Sequence, residues 1–434
     1  MKKHLIVISF DAVSSKDLEI LKNYPNFKYI MSNGAVIKNV DSVYPSLTYP
    51  AHTTIVTGKY PCNHGVINNT KLEINEPKPD WYWYRKNIKG KTLYDVFSEN
   101  GLSTAGIFWP VSARSSIKYN MPEIFPTKKW HNQMIMSGTG GNLLFQLDIN
   151  KKFSHIRRGI SEPELDDFST EAMKHTIKKY KPNLVLLHLI DTDTHRHYTG
   201  YGSKESNESL KRQDRRLGEI IQSLKDAEIF DDSIIVALGD HSQLDGDKII
   251  KLNVLLEKNG LIDLDSDGKI KNYRAIAKSC DGSAYIYLKD KNDTKSKLKI
   301  KELLEELKKD EKQPIDFILD SNEARSYGAD GECSFMVEAN VGYYFINEIQ
   351  GDVIENMKSE DVGKKSHRTF ATHGYCPSKL DYGTFFIACG PGIKKGVTVE
   401  KGSLINHAPT MAAMFGFKMD GIDGNVIKEI LNEN

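Results

Sequence analysis

Short apolar segments that alternate with helical patterns constrain the fold of this 434-residue chain more than any other feature. Four of them are rich in valine, isoleucine and leucine, as parallel strands buried on both faces are. They are "HLIVISF" (4–10), "TAGIFWP" (104–110), "LVLLHLI" (184–190) and "SIIVALG" (233–239), with "GTFFIACG" (383–390) as a fifth candidate. Since helical patterns lie between them, the sequence predicts an α/β fold with a doubly wound, mostly parallel sheet flanked by helices.

Residues 246–369 show a different pattern. Strand-like "DGSAYIYLKD" precedes a Lys/Glu-rich helical segment, and strand-like "ECSFMVEANVGYYFINE" follows it. This order predicts a smaller α+β subdomain, inserted into a core formed by residues 1–245 and 370–434. Because its ends adjoin His241 and His373, we expect a cap that influences the choice of substrate.

Composition and charge exclude several classes of protein. Lys and Arg number 59 against 58 Asp and Glu, so the chain has no electrostatic footprint for nucleic acid or for a membrane. The longest apolar runs are too short to span a bilayer, and strand-like sequence from His4 leaves no room for a signal peptide. Five scattered cysteines suggest neither a disulfide framework nor a thiolate zinc site. We expect a cytoplasmic protein that acts on a small molecule; its oligomeric state is open.

Three of the buried segments run directly into an aspartate: Asp11, Asp191 and Asp240. The carboxyl ends of parallel strands share one edge of a sheet, where ligands bind. One aspartate there is an ordinary turn former, but three would concentrate negative charge in a partly desolvated place. The sequence therefore predicts a cation site at this edge.

Histidines accompany these aspartates. "DTDTH" places His195 four residues after Asp191, His241 directly follows Asp240, and "THGY" places His373 in a turn before the last strand. Carboxylate and imidazole ligands without thiolates suit Zn²⁺, and also Mn²⁺ or Fe²⁺. We interpret the other nearby histidines as solvated loop residues (His197 and His367) or as a satisfied core residue (His188).

An ordered set of motifs carries a family resemblance over residues 7–375. The motifs are "VISFDAV", "YPSLTYPAHTTIVTGKYPCNHGVINN", "FWPVS", "DTDTH", "ALGDHS" and "THGY". In this order and spacing the chain resembles the alkaline phosphatase superfamily, and most closely its nucleotide pyrophosphatase/phosphodiesterase (type I phosphodiesterase) branch. The resemblance implies an alkaline phosphatase-like core and a hydrolase that uses two metal ions.

The resemblance also assigns the nucleophile. In this family a Thr or Ser at a helix start is activated by two metals, and the matching residue is Thr48. Pro50 follows near the predicted helix start, where free backbone N–H groups favour an oxyanion or a phosphate. A plain N-cap threonine is the alternative interpretation, and Ser46 is the alternative nucleophile. Attack by Thr48 on phosphorus would give a phosphothreonine intermediate.

Carried over by motif, the resemblance implies two Zn²⁺ sites. One would be held by Asp191, His195 and His373, and the other by Asp11, Asp240 and His241, with the Thr48 hydroxyl at the second. Asn69 matches an asparagine that donates to a phosphoryl oxygen, although alone it reads as a turn residue. Tyr49 matches an aromatic that stacks on the nucleotide base, and its backbone N–H is a candidate oxyanion donor.

The substrate class stays open within this resemblance. A phosphodiester or pyrophosphate bond of a nucleotide-like substrate is the leading prediction, because the neutral donor Asn69 suits a diester better than a dianionic monoester. A phosphomonoesterase or a phosphonate hydrolase is the alternative, and a non-catalytic phosphate- or nucleotide-binding protein is the remote one. The aromatic run "DWYWYRK" (80–86) is either a substrate-facing wall, with Arg85 meeting phosphate, or a packed loop.

Overall fold

The structure is a computed structural model that describes residues 3–432. Strands β1 to β18 span, in order, His4–Phe10, Gly34–Asp41, Thr104–Ile107, Tyr119–Met121, Leu184–Leu189, Ser233–Leu238, Leu244–Ile250, Ile262–Leu264, Ile270–Tyr273, Ala275–Ser279, Ser283–Leu288, Ile315–Asp320, Phe335–Ala339, Gly342–Phe345, Ile354–Asn356, Ala371–Thr372, Thr384–Cys389 and Val397–Ser403. Helices α1 to α14 span Leu18–Leu21, Pro25–Ser32, Thr48–Thr57, Pro61–His64, Leu93–Glu99, Gln133–Gly140, Leu143–Phe153, Glu164–Tyr180, Asp191–Thr199, Lys204–Asp226, Leu252–Lys258, Thr294–Lys308, Ser321–Ser326 and His407–Ala413.

The core is built on an eight-stranded sheet in the order β18-β2-β17-β6-β1-β5-β3-β4. Neighbouring strands are parallel except β17, which runs antiparallel to both β2 and β6. The prediction of an α/β fold with a mostly parallel sheet is therefore confirmed. Helices pack on both faces because β1 alternates between two apolar clusters: Ile6, Ile8 and Phe10 belong to one, Leu5 and Val7 to the other.

Two details of the predicted sheet were wrong. The fifth segment does form a strand, β17, but it is antiparallel, because the chain enters it from the turn holding His373, at the edge where β6 ends. The prediction also omitted β2, β4 and β18. The burial of β2 is interrupted by the exposed Lys38 and Asn39, so it lacks the continuous apolar pattern of the central strands.

The chain between β6 and β17 builds smaller sheets of its own. One has the order β10-β11-β13-β12, with antiparallel pairs, and β7 pairs with β14, β15 and β16. Strand β7 (Leu244–Ile250) crosses the predicted boundary between residues 245 and 246, so the start of the insert stays a prediction. Across residues 3–432, none of the helices combines the length and apolarity that a membrane span requires.

Candidate active site

The first part of the site lies at the carboxyl ends of two adjacent parallel strands. Asp11 follows β1 directly, and Asp240 and His241 follow β6. The structure brings these three side chains together, with one ligand-type atom of each within 4.8 Å of the others. His241 Nε2 lies 3.3 Å from Asp11 Oδ1 and 3.3 Å from Asp240 Oδ2. We call this set the strand-end cluster.

Two carboxylate oxygens of the strand-end cluster have no hydrogen-bond donor among the described residues. Asp11 Oδ1 and Asp240 Oδ2 are buried and accept no hydrogen bond from any residue between 3 and 432. Burial, followed by the charge of Asp193, raises the pKa of Asp11 to about 7. Burial and then the charge of Asp11 raise the pKa of Asp240 well above its usual range. Unpartnered, buried carboxylate oxygens beside an imidazole fit a divalent cation, which would replace the missing partners.

The second part of the site is carried by a helix and a turn. Asp193 and His197 lie on α9, and ligand-type atoms of both lie within 4.8 Å of one another and of His373. His197 Nε2 is 3.3 Å from Asp193 Oδ2, and His373 Nε2 is 3.9 Å from Asp193 Oδ1. We call this set the helix cluster. The rings of His373 and His241 have centroids 4.4 Å apart, so the two clusters are neighbours.

Electrostatics in the helix cluster favour the charged forms of Asp193 and His197, whereas burial lowers the pKa of His373. Burial disfavours the carboxylate of Asp193, but His197 together with His373 and His241 outweighs that effect, and the pKa of Asp193 is lowered. Burial likewise disfavours the imidazolium of His197, and Asp193 raises its pKa to about 9 nonetheless. His197 Nδ1 lies 2.8 Å from the Ala371 carbonyl, and donation to it leaves Nε2 free for a ligand role.

The predicted ligands Asp191 and His195 are not in this cluster. The Asp191 carboxylate accepts hydrogen bonds at 2.7 Å from Arg212 Nε and Nη2 and at 2.6 Å from Arg216 Nη1. His195 Nδ1 lies 2.8 Å from both the backbone carbonyl and the carboxylate Oδ1 of Asp191. A shift of two residues rotates a side chain by about 200° around a helix, so Asp191 and Asp193 face opposite ways.

The sequence reasoning therefore missed Asp193 and His197, and it was wrong to place His197 among solvated histidines. The signal was present: "DTDTHRH" contains two Asp-x-x-x-His pairs with the same spacing. His367 is half-exposed, as predicted, with Nδ1 3.3 Å from Asp281 Oδ1.

Two polar side chains outside the clusters contact the carboxylates within them. Gln243 Nε2 donates to Asp193 Oδ1. His188, on β5, is buried with its Nε2 2.9 Å from Asp11 Oδ2 and its Nδ1 3.1 Å from Glu123 Oε2. His188 is thus satisfied on both nitrogens, as the sequence predicted, and one of its partners belongs to the strand-end cluster.

Thr48 lies beside the strand-end cluster as the first residue of α3. Its Oγ1 is 3.2 Å from His241 Nε2. Thr48 therefore lies at the positive end of the α3 dipole, where negative charge is stabilised. The alternative nucleophile, Ser46, is engaged elsewhere, since its hydroxyl donates to the Tyr375 carbonyl and lies 2.8 Å from the Tyr382 hydroxyl.

Asn69 contacts the same helix start. Its side-chain oxygen accepts a 2.9 Å hydrogen bond from the backbone N–H of Tyr49. That N–H is therefore not the free oxyanion donor that we expected. Asn69 Nδ2 has no acceptor among the described residues, so the amide group is left with donors for a ligand.

The structure corrects the prediction for Tyr49 and selects one of the two alternatives for the run 80–86. The Tyr49 ring is fully buried, 5.0 Å from the ring of Trp81, and its hydroxyl donates to Glu123 Oε1, so no face is free to stack on a base. Aromatic residues of the run 80–86, among them Trp81 and Trp83, pack against Tyr49. Arg85 pairs with Asp95 at 2.6 Å rather than meeting the site, so the run is a packed loop.

Comparison with known proteins gives the family. A sequence profile described as type I phosphodiesterase / nucleotide pyrophosphatase matches residues 5–376. The chain belongs to this family. It is 25% identical over 249 residues to venom phosphodiesterase 2 of Crotalus adamanteus, covering 55% of this chain and 26% of that protein. It is 22% identical over 437 residues to ectonucleotide pyrophosphatase/phosphodiesterase 1 of Saccharomyces cerevisiae, covering 90% of this chain and 53% of that one.

This chain thus spans about a quarter to a half of the length of these curated relatives. Its fold is similar to that of murine ectonucleotide pyrophosphatase/phosphodiesterase 5, with a TM-score of 0.69 at 19% identity, over 99% of this chain and 100% of that one. An inactive form of the same murine protein, solved in complex with AMP, gives a TM-score of 0.68 at 18% identity, over 100% of both chains.

Proposed function

We propose that this chain is a hydrolase that cleaves phosphodiester or pyrophosphate bonds of nucleotide-like substrates. The observation that carries the proposal is the position of Thr48, whose hydroxyl lies at a helix start, 3.2 Å from a histidine of the strand-end cluster. Family membership supports the reaction class. The AMP complex of the murine relative supports a nucleotide-like substrate. The cytoplasmic location stays a prediction from the sequence.

We propose Zn²⁺ for both clusters because each offers carboxylate and imidazole ligands without thiolates. Asp11, Asp240 and His241 would hold one ion, and Asp193, His197 and His373 the other. When bound, such a pair lowers the pKa of a hydroxyl nucleophile and stabilises the attacking and leaving oxygens of an in-line displacement.

Within the chain, Thr48 is the nucleophile. Its Oγ1 attacks phosphorus, the bond to the leaving oxygen breaks, and a phosphothreonine forms; hydrolysis by water then restores Thr48. Configuration at phosphorus is retained overall because two inversions cancel. The dipole of α3, whose positive end lies at Thr48, stabilises the negative charge of the phosphoryl group.

Asn69 positions that phosphoryl group. Because Oδ1 is held by the Tyr49 N–H, the Nδ2 group has a fixed direction and donates to a non-bridging oxygen. A neutral donor stabilises the single negative charge of a diester without requiring the second charge of a monoester. This preference separates the proposed diesterase from the phosphomonoesterase alternative.

The decisive experiment compares kcat/KM for a nitrophenyl nucleotide diester, a nitrophenyl monoester and a nitrophenyl phosphonate. We expect the diester to be preferred, since kcat/KM reports differential binding of the transition state. The variant Thr48→Ala should lose activity by on the order of a thousandfold or more. Ser46→Ala is the matched control. A Thr48→Ala enzyme with near-normal diester hydrolysis would refute the assignment.

A further inference from the structure

Helices α6 and α7 form a hairpin with an apolar outer face that the proposed function does not use. Fifteen large apolar side chains are exposed within residues 3–432, and six of them lie between positions 130 and 147. These six are Trp130, Met134, Ile135, Leu143, Leu144 and Leu147. Met134 is 81% exposed, and Trp130 and Leu144 are each 78% exposed. We call this set the hairpin surface.

The hairpin surface is continuous from one helix to the other. On α7, Leu144 and Leu147 are three positions apart, and Leu143 lies one turn before Leu147, so all three share one side of the helix. On α6, Gly138 lies one turn after Met134, and a Cβ at Gly138 would lie 3.2 Å from Leu143 Cδ1. The side of α6 that carries Met134 therefore continues into the exposed side of α7.

Packing on the core does not account for this face, because each helix also has a separate buried side. Phe145 and Ile149 of α7 belong to the same apolar cluster as Phe168 of α8, and Met136 of α6 packs in the cluster that contains Trp83. A surface helix of a globular protein ordinarily carries polar residues opposite its buried side. An apolar patch in that place marks a site of contact with a partner or a membrane.

Basic residues border the hairpin surface. Between positions 127 and 160 the chain has six Lys and Arg and a single acidic residue, although the whole chain is nearly neutral. Lys151 is exposed and lies seven positions after Leu144, hence on the same side of α7. Lys129 is exposed directly before Trp130. The positive charge is therefore concentrated where the apolar side chains are exposed.

Two of the six basic side chains are available to an external anion. Lys129 and Lys151 form no ion pair with any residue between 3 and 432. The other four have partners in the chain: Lys128 with Glu73 and Glu76, Lys152 with Asp148, Arg157 with Asn150 and the ring of Phe168, and Arg158 with Glu164. Exposed leucines beside unpaired lysines are typical of a helix that lies in a lipid interface.

We propose that the hairpin surface docks on a membrane that contains anionic lipids, with Lys129 and Lys151 contacting the lipid phosphates. Helices of eight and eleven residues are too short to span a bilayer and would lie in its interface, where tryptophan is favoured. A second copy of this chain is a poorer occupant, because a two-fold interface would bring like charges together. The near-neutral net charge of the chain gave no sign of this surface, because the excess is confined to one segment.

The first test is co-sedimentation of the full chain with sucrose-loaded vesicles. We expect binding to vesicles of equal parts phosphatidylglycerol and phosphatidylcholine to be at least about tenfold tighter than to phosphatidylcholine alone, and to weaken with added salt. The double variant Lys129→Gln, Lys151→Gln should weaken it about tenfold. Leu144→Gln with Leu147→Gln should weaken it about tenfold or more, because apolar surface is no longer buried in the lipid.

Matched controls remove the same residue types from other surfaces. Leu298→Gln with Leu380→Gln removes two exposed leucines, and Lys295→Gln with Lys301→Gln removes two exposed lysines. Both double variants should bind the anionic vesicles as the wild type does. Thermal unfolding of every variant at the wild-type temperature shows that the fold is intact, and none of these measurements depends on hydrolysis.

Tryptophan fluorescence and sedimentation velocity complete the test. The emission of Trp130 should shift to shorter wavelength when anionic vesicles are added, and Trp130→Phe should remove that shift. No binding to the anionic vesicles, or equal binding by the Leu144→Gln, Leu147→Gln variant, would overturn the proposal. A wild-type dimer that this variant converts into a monomer, without vesicle binding, would overturn it in favour of a second copy as the occupant.

Discussion

The strand-end cluster and the helix cluster both consist of aspartate and histidine side chains, but different features of the fold determine the positions of those side chains. Asp11 and Asp240 leave neighbouring parallel strands whose pairing aligns Ile6 with Ile235 and Ser9 with Leu238. Because a one-residue slip would turn the apolar side chains of β1 to the wrong faces, their position follows from the strands. Asp193 and His197 lie on a helix in which Asp191 and His195 repeat the same spacing. Spacing alone therefore does not choose between the two pairs.

The register of α9 is set by contacts with distant parts of the chain. Arg212 and Arg216 of α10 hold Asp191 on one side of the helix. Arg196 is buried, and its Nη2 donates to Asp17 Oδ1 at 2.7 Å. With these residues turned toward the core and α10, Asp193 and His197 are left to face His373. The comparison teaches that a repeated motif on a helix needs its buried partners before its functional face is known.

The largest expected effect distinguishes the pair Asp193 and His197 from the pair Asp191 and His195. We predict that His197→Ala lowers diester hydrolysis by on the order of a thousandfold and removes one metal ion per chain, because it removes a ligand from the helix cluster. The matched control is His195→Ala, whose ring contacts Asp191 rather than either cluster and which should change activity less than threefold. Activity and metal content of both purified variants measure this. Loss of metal in His195→Ala, with normal content in His197→Ala, would restore the motif-based assignment.

The next largest effect is on stability and concerns Asp191. Asp191→Ala should lower the free energy of unfolding by about 3–5 kcal/mol, because it leaves the buried Arg216 without one of its anions. Denaturant unfolding of the variant and of wild-type protein checks this. Glu208→Ala, which removes an exposed ion pair with Lys211 on α10, should leave the free energy of unfolding close to the wild-type value. A stable Asp191→Ala protein that lacks metal would contradict a structural role for Asp191.

Residues that hydrogen-bond to the carboxylates of each cluster should have smaller effects on metal binding, and each effect should be confined to one cluster. His188→Leu removes a partner of Asp11, and Gln243→Leu removes a donor to Asp193. Each should weaken metal binding about 10- to 100-fold at its own cluster, as is typical when a group that orients a ligand is lost. Competition titrations with a chelator, with the exposed Gln222→Leu as control, resolve the two sites. Equal weakening of both sites by either variant would show that the clusters are not independent.

A buried carboxylate outside both clusters provides an effect that depends on pH. Burial raises the pKa of Glu338 to about 8, although Lys379 opposes this, and its carboxyl group accepts hydrogen bonds from Tyr44 and Cys376. A carboxyl with a raised pKa binds more protons folded than unfolded, so stability falls as pH rises from about 4.5 to about 8.

We therefore predict that Glu338→Gln flattens this part of the pH profile by at most about 1.4 kcal/mol per pH unit. Unfolding free energies of wild-type and variant protein, measured with and without metal, check it. The flattening should be the same in both conditions, because Glu338 belongs to neither cluster. A profile that Glu338→Gln leaves unchanged would show that this carboxyl ionises normally in the folded protein.

The sequence by itself determined the fold class, the strand-end aspartates, the His241 and His373 positions and Thr48 as the residue at the helix start. Each depends on local pattern: apolar strands define a sheet edge, and residues next to that edge have little freedom in where they lie. The tertiary structure decided the rest. It chose Asp193 and His197 over Asp191 and His195, and it reversed the direction of β17.

The structure also buried Tyr49 and brought Lys278 next to the loop of Asn69. The two residues of that last pair lie more than 200 positions apart in the chain. No local period relates such positions, because their proximity depends on how the insert packs against the core. The sequence thus specifies which groups reach the sheet edge, and only the packing of helix and insert specifies which side chains face one another there.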